Sequence, residues 1–585
     1  MAVADNTKRE RPWLNHYPSS IPPSINYPEV PLYEFLSTSA KTRSDQTALV
    51  FFGGRTSYSA LLDKVKHVAG GLIRLGLKKG DRVGIMLPNC PQAVESYFGA
   101  LWAGATVVMI NPLYTVGEIE HQIRDAGARF LIALDQTYPR VVKAFEKAGL
   151  EKAVVTGIQE RLPFPLGPLY SFQLRRQGKL AKIENDGRSI RYSALLAGMS
   201  LAEPVHVAPK RDLALLQYTG GTTGTPKGVM LTHYNLVANC KQIEPFYPRP
   251  DIEQVTILGV LPFFHVYGMT TIMNYGVMIG ARIVLLPRFE VGNVLKAVQK
   301  YRPQVFPGVP TMYVAINEYP GVEHFDLKSI QSCISGAAAL PQQVKENFEH
   351  LTGGRLVEGY GLSEASPVTH CNPLEGTQKT GSIGVPLPDT ECQLVDVDTG
   401  RPLPPGSTGE LLVRGPQVMQ GYWNKVEDTK GVLKDGWLCT GDIARMDEEG
   451  YFYIVDRKKE MINASGLKVY PREVEEVLYK HPAVREAAVI GVADSYRGET
   501  VKAFVVLKKD ARCTPEEIVA WCKGRLAVYK VPKQVEFVQE LPKSLIGKVL
   551  RRVLVEQEVE KQATPASASS TSMRKSGGES GEKGV

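Results

Sequence analysis

None of the eight cysteines has a near neighbour in the chain: Cys90, Cys240, Cys333, Cys371, Cys392, Cys439, Cys513 and Cys522 form no CxxC pair. That removes the ligand spacing of a zinc site and the framework of a disulfide-stapled secreted domain, and it suits a reducing cytosol. The N-terminus has Lys8, Arg9, Glu10 and Arg11 ahead of a proline-rich polar run and lacks the apolar core of a signal peptide, so export is not expected. A large excess of either charge sign is missing too. A formal net charge of +8 over 585 residues is modest, the basic residues are dispersed, and no zinc-finger or RNP-type string occurs, which argues against a nucleic-acid partner. One uncharged run, Gln254 to Ala281, has 28 residues, long enough on paper to span a bilayer. It holds Pro262, Asn274 and four glycines, and reads as buried strand, loop and helix instead. No helical repeat is visible, and no G-x-G-x-x-G follows the first strand of the main body, so a dinucleotide site is not supported.

What is present is the composition of an ordinary globular protein, 43% apolar and 22% charged, in a chain too long for one core. After a surface leader, Leu61, Leu62, Val65, Val68, Leu72 and Leu75 recur at helical spacing behind Thr56. Strand then alternates with helix: Arg82–Leu87, Pro91–Ala103, Thr106–Ile110, Val116–Ala126 and Phe130–Leu134. The expected fold class is α/β, a body of mixed, mostly parallel sheets covered on both faces. Residues 161–191 break the pattern: Leu162, Pro163, Phe164, Pro165, Leu166, Leu169 and Tyr170 precede Arg175, Arg176, Lys179, Lys182, Arg188 and Arg191, against only Glu184 and Asp186. Apolar knuckles beside a basic cluster suit an anionic membrane surface; a solvated excursion packed on the domain is the alternative.

The most informative stretch runs Tyr218-Thr219-Gly220-Gly221-Thr222-Thr223-Gly224-Thr225-Pro226-Lys227-Gly228, between the apolar runs Leu213–Gln217 and Val229–Leu231. Its glycines let backbone approach an anion, its Thr hydroxyls and N–H groups donate to phosphate oxygens, and Lys227 adds a point charge. It is not a Walker loop, because Pro226 precedes the lysine and strand-like residues follow Gly228. On loop chemistry alone a ligand-free Gly/Thr hairpin stays open.

Further motifs follow in order. Leu261-Pro262-Phe263-Phe264-His265-Val266-Tyr267-Gly268 opens the uncharged run, and Ser335-Gly336-Ala337-Ala338-Ala339 reads as a strand end whose small side chains leave room for a flat ring. In Gly359-Tyr360-Gly361-Leu362-Ser363-Glu364, Tyr360 offers a stacking face, Ser363 a hydroxyl and Glu364 a hard oxygen ligand for Mg²⁺, although a lone glutamate after such a turn is often only solvated. Asp442, in Asp435-Gly436-Trp437-Leu438-Cys439-Thr440-Gly441-Asp442, can accept from two ribose hydroxyls, and Arg457 offers a planar fork to phosphate or ribose. From Met461 a smaller α+β unit of about 100 residues is expected, ending near Leu541-Pro542-Lys543-Ser544-Leu545-Ile546-Gly547-Lys548, before an Ala/Ser/Gly/Lys tail that reads as disordered.

From about Leu32 to Gln557 these motifs, in this order, resemble the adenylate-forming superfamily of acyl-CoA synthetases, peptide-synthetase adenylation domains and luciferases, with the Asp435–Glu460 run most like fatty-acyl-CoA synthetases of the bacterial long-chain type. The resemblance implies a two-step ligase using ATP, Mg²⁺ and coenzyme A: a fatty acid attacks the α-phosphate to give acyl-adenylate, and the CoA thiol then displaces AMP. It implies Lys548, Glu364, Thr223 and His265 as catalytic residues, with Glu364 the metal ligand. Nucleotide contacts fall to Thr219, Gly220, Gly221, Thr222, Thr223, Gly224, Lys227, Gly336, Ala337, Ala338, Tyr360, Gly361, Ser363, Asp442, Arg457 and Lys548, and CoA contacts to Ser465 and Gly466. Tyr267, Met269, Val309 and Gly336 would line the acyl pocket. It further implies an N-terminal domain over 1–456, a hinge over 457–460 centred on Lys459, a mobile C-terminal domain over 461–560 and a tail over 561–585. A coumarate-type aryl ligase and a carrier-loading adenylation enzyme are the rivals; the latter usually sets an Asp near the aromatic motif, where this chain has Phe264-His265-Val266-Tyr267. A cytoplasmic enzyme follows, with peripheral contact at the inner face of a membrane and homodimerisation both compatible with it.

Overall fold

The computed structural model describes residues 11–178, 183, 187–219, 226–247, 252–464, 467–494, 498–543 and 549–563. The chain divides into two compact units, the larger running to Lys459 and the smaller starting at Glu460.

In the larger unit, an eight-stranded sheet is built from β1 (Arg82–Met86), β2 (Thr106–Met109), β3 (Ala128–Leu134), β4 (Lys152–Thr156), β5 (Ser189–Arg191), β6 (Leu213–Thr219), β7 (Lys227–Thr232) and β8 (Gly421–Tyr422), in the spatial order β8-β7-β6-β2-β1-β3-β4-β5. From β6 to β5 every pairing is parallel; β7 and β8 add antiparallel strands at the other edge. The α/β body of mixed sheets is therefore as expected, and this sheet is mostly parallel; the expectation of mostly parallel pairing does not extend to all of the unit's other sheets, where hairpin connections give antiparallel neighbours. Parallel strands buried on both faces need apolar side chains throughout, and β1 to β3 are almost wholly buried. The crossover helices match closely where local chemistry marks their ends. Val116–Ala126 begins in a capping box between Thr115 and Glu118 and stops at Gly127, whose φ of 62° is left-handed.

Three further sheets complete this unit. Thr256–Gly259, Arg282–Leu285, Thr47–Phe51 and Gly54–Ser57 make one, and Ser332–Ser335, Arg355–Gly361, Val368–Cys371 and Val385–Pro386 another. The third is antiparallel, with Glu391–Val395, Thr408–Arg414, Trp437–Met446 and Leu433–Lys434 in order and Phe452–Arg457 paired to Trp437–Met446.

The uncharged run resolves into strand Thr256–Gly259, a loop and buried helical turns over 266–278. Among the described residues no helix is long and apolar enough to cross a membrane. Residues 161–191 hold more regular structure than their prolines suggest, namely the helix Leu166–Arg176 and the edge strand β5. Pro163 and Pro165 lie ahead of that helix and Pro168 in its first turn, where a missing N–H costs no hydrogen bond.

The smaller unit pairs Leu467–Val469, Ile462–Ala464, Gly498–Leu507 and Val484–Asp494 in order, with Gln534–Phe537 parallel to Gly498–Leu507. Helices Pro471–Tyr479, Pro515–Lys523 and Arg551–Ala563 accompany it. Ile462, Val474, Leu478, Val489, Val501, Val505 and Ile518 form its core. Arg551 ties the unit's first residue, Glu460, to Glu475, reaching Glu475 Oε2 at 2.7 Å. The helix runs to Ala563, so the tail from 561 expected as disordered starts in helix; residues 564–585 lie outside the described ones.

Candidate active site

The β6–β7 hairpin pairs Thr219 with Lys227, so the strands on either side of the Gly/Thr loop are positioned even though 220–225 fall outside the described residues. Lys227 Nζ makes an ion pair with Asp428 and lies 5.2 Å from the centroid of the Tyr422 ring. Tyr422, on β8, is held beside β7 by the pairing Tyr422↔Val229, and its hydroxyl donates to Glu364 Oε1 at 2.8 Å. One aromatic side chain thereby bridges the loop lysine and the candidate metal ligand.

Glu364 follows the strand Arg355–Gly361 in a short turn, and its carbonyl accepts from Met419 N at 2.9 Å, which fixes the backbone. Loss of solvent around the carboxylate raises its pKa above the usual glutamate value; the Tyr422 hydrogen bond and Arg457 oppose the rise and Asp442 adds to it. Among the described residues no group of three or more His, Cys, Asp or Glu is placed to hold a metal. A half-buried carboxylate whose charge a tyrosine hydroxyl and a neighbouring guanidinium only partly offset nonetheless suits Mg²⁺, which takes few protein ligands and fills its shell with phosphate oxygens and water.

Asp442 and Arg457 face each other across Trp437–Met446 and Phe452–Arg457, with Arg457 Nε 3.3 Å from Asp442 Oδ1. The other oxygen, Oδ2, accepts from the Tyr360 hydroxyl. Gly441 takes a φ of 71°, and the Asp442 amide donates to Thr440 Oγ1 at 3.1 Å, so a left-handed turn aims the carboxylate. Asp442 is 5% exposed, whereas the Arg457 side chain is 41% exposed. Tyr360 also meets His370 edge to face at 5.8 Å.

Tyr267, Gly308 and Gly336 form a second group. The Tyr267 hydroxyl donates to Ile334 O at 2.8 Å, and a Cβ on Gly336 would fall 3.0 Å from its ring. The ring lying against that strand end is thus one of the protein's own. Ala337, next in the chain, adopts a φ of 70°. His265 Nδ1 accepts from Tyr267 N at 3.2 Å, and Met269, Val309 and Gly308 are close-packed or buried nearby in the same unit.

Residues 36–423 match the model of the AMP-binding enzyme family, and 473–548 match that of the AMP-binding enzyme C-terminal domain. The chain belongs to the AMP-binding enzyme family. Among its relatives, a protein of Bacillus subtilis (strain 168) named long-chain-fatty-acid–CoA ligase is 48% identical over 94% of this chain and 99% of its own length. One of the same name from Escherichia coli O6:H1 is 40% identical over 93% of this chain and 97% of its own. The solved anthranilate CoA ligase in complex with anthranoyl-AMP superposes with a TM-score of 0.80 at 28% identity, covering 92% of this chain and 98% of that one.

Within this AMP-binding enzyme the structure brings together Lys227, Glu364, Tyr360, Asp442 and Arg457 from segments far apart in sequence. Gly361 and Ser363 precede Glu364, and Thr219 ends β6. Gly220, Gly221, Thr222, Thr223, Gly224, Ser465, Gly466 and Lys548 lie outside the described residues. Tyr422 and Asp428 are functional candidates that motif reading missed. The aromatic doublet Tyr422-Trp423 after a glycine was the available signal, but nothing local connects it to Glu364.

Proposed function

We propose that the chain is an ATP- and CoA-dependent ligase that converts a long-chain fatty acid to its acyl-adenylate, releasing pyrophosphate, and then to the CoA thioester, releasing AMP. The observation that carries the reading is the pair of contact chains Lys227–Tyr422–Glu364 and Arg457–Asp442–Tyr360, which sense each other's charge at Glu364, in a chain whose relatives are named long-chain-fatty-acid–CoA ligase. In the first step a carboxylate oxygen of the acid bonds to the α-phosphorus as the bond from phosphorus to the pyrophosphate oxygen breaks. Two anions must meet, so positive charge has to collect between them. Lys548 takes that position in the proposal, while Lys227 and the loop Thr219, Gly220, Gly221, Thr222, Thr223 and Gly224 hold the β and γ groups. Asp442 accepts from the ribose hydroxyls, Arg457 adds a donor fork, and Tyr360 with Gly336, Ala337 and Ala338 bounds the base. Glu364 would hold Mg²⁺, which neutralises phosphate charge when bound. His265, Tyr267, Met269 and Val309 border the acyl group.

In the second step the CoA sulfur bonds to the acyl carbon and the bond to the AMP oxygen breaks. This step falls to a smaller domain over 461–560 that turns about Lys459, within a hinge over 457–460, and brings Ser465 and Gly466 to the thiol's path. Positioning dominates throughout, since little covalent chemistry falls to the protein. Peripheral contact with the inner face of a membrane belongs to the same reading, because a long acyl chain resides in lipid. So does a homodimer, for which equilibrium sedimentation showing only monomer would be decisive against. The direct test is CoA-dependent AMP release across acids from acetate to palmitate, with coumarate and free amino acids as controls. Palmitate-class acids should lead; preference for coumarate or an amino acid would overturn the reading.

A further inference from the structure

The helix Leu166–Arg176 shows an unusual distribution of its apolar side chains. Leu166 is 44% exposed, Leu169 59% and Phe172 61%, and Phe164, just ahead of the helix, is 89% exposed. At i, i+3 and i+6 the three helical residues form one stripe, and Arg176, four after Phe172, lies on it. Gly167 and Leu174, on the opposite side, are the buried residues that seat the helix. A Cβ on Gly167 would come within 2.8 Å of Gln159 O, so the approach on that side is backbone-close. The stripe is therefore the outward face of a well-seated helix. Its burial in water-free surroundings is not supplied within this chain's described residues.

Charge says what would cover it. No acidic residue lies between Arg161 and Arg176, and exposed Arg175 and Arg176 close the helix. From Arg175 to Arg191 the chain carries six basic residues against two acidic ones. Large apolar side chains rimmed by arginines suit the boundary of an anionic bilayer, where the rings and aliphatic groups enter the acyl edge and the guanidiniums meet lipid phosphates.

We infer that Phe164 and the outward stripe Leu166, Leu169 and Phe172, with Arg175 and Arg176, dock the enzyme on an anionic membrane surface, the phase from which its acid is drawn. The inference rests on the proposed long-chain substrate and specifies the contact. By strand order, the crossover carrying this helix joins β4 to β5 at one edge of the eight-stranded sheet, whereas the β6–β7 hairpin and β8 lie at the other. Substitutions in the stripe are thus separated from the nucleotide residues.

The experiment is sedimentation of the full chain with vesicles of phosphatidylglycerol and phosphatidylcholine in equal parts, and with phosphatidylcholine alone. Wild type should bind the anionic vesicles and release with salt. Leu169→Ser with Phe172→Ser should weaken binding at least ~10-fold, from lost apolar burial. Arg175→Gln with Arg176→Gln should weaken it about fivefold per arginine on anionic vesicles only. All variants should keep wild-type turnover of octanoate supplied in solution. Absence of vesicle binding by wild type, variants that bind like wild type, or a stripe variant that merely converts a dimer to monomer would overturn the docking assignment. Failure of the ligase reading would instead appear as no AMP release with any fatty acid, whatever the vesicles do.

Discussion

Two clusters of charge in the larger unit are built from the same residue types and behave differently. Around Glu95, the carboxylate is fully buried and takes a forked Arg161, at 3.2 and 2.8 Å, together with the Tyr192 hydroxyl at 3.0 Å. The Arg161 side chain is 20% exposed, and both of its hydrogen-bonding nitrogens are taken up by the buried carboxylate. Around Glu364 and Asp442 the carboxylates are likewise drawn inward and each accepts from a tyrosine, yet the cations Lys227 and Arg457 are 36% and 41% exposed. Closed satisfaction marks a cluster that holds the fold. A cluster with inward carboxylates and half-exposed, ion-paired cations suits the proposed site, where an incoming polyanion would compete for those cations.

The sharpest way to break this contrast is to truncate each cluster. Glu95→Ala leaves the partly buried Arg161 guanidinium and the buried Tyr192 hydroxyl without their acceptor and should cost about 3 kcal/mol in urea unfolding, with turnover per folded molecule near wild type. A loss of activity without loss of stability would erase the distinction. Lys548→Ala should do the reverse, lowering adenylate formation ~100–1000-fold while leaving stability unchanged and supplied acyl-adenylate still converted to thioester. Equal loss of both steps would refute its role. Lys459→Pro should slow the second step and accumulate adenylate, and unchanged turnover would count against a hinge there.

A subtler effect concerns Tyr422. Its hydrogen bond opposes the desolvation that raises the Glu364 pKa. Tyr422→Phe should push that pKa higher, and because the ionised form is the one suited to a cation, the acidic limb of kcat/KM for ATP should move toward neutral pH. A profile identical to wild type would remove Tyr422 from the site. The smallest change is expected of Asp428→Asn. Solvent screens this half-exposed ion pair, so the KM for ATP should shift by less than about fivefold, and downward if Asp428 competes with phosphate for Lys227.

How much of this was legible in the sequence depends on how far apart the cause and the consequence lie. Helix Val116–Ala126 was read to the residue because Thr115, Glu118 and Gly127 set its ends locally. The strands about the Gly/Thr loop were legible as apolar runs on either side of a turn-rich string. Helix Leu166–Arg176 was not, since Pro163, Pro165 and Pro168 read as breakers when two of them precede it and one occupies its first turn. The bridge from Lys227 to Asp428 spans 201 positions and that from Glu364 to Tyr422 spans 58, so no periodicity or spacing rule connects them. Tertiary strand pairing, β8 on β7, is what brings Tyr422 into place.

The most direct measurement of the central claim is acid-dependent exchange of labelled pyrophosphate into ATP, with CoA left out. The account predicts exchange with a long-chain fatty acid, lost in Lys548→Ala and retained in Lys459→Pro. Exchange that requires CoA, or that proceeds with an amino acid and not a fatty acid, would contradict it.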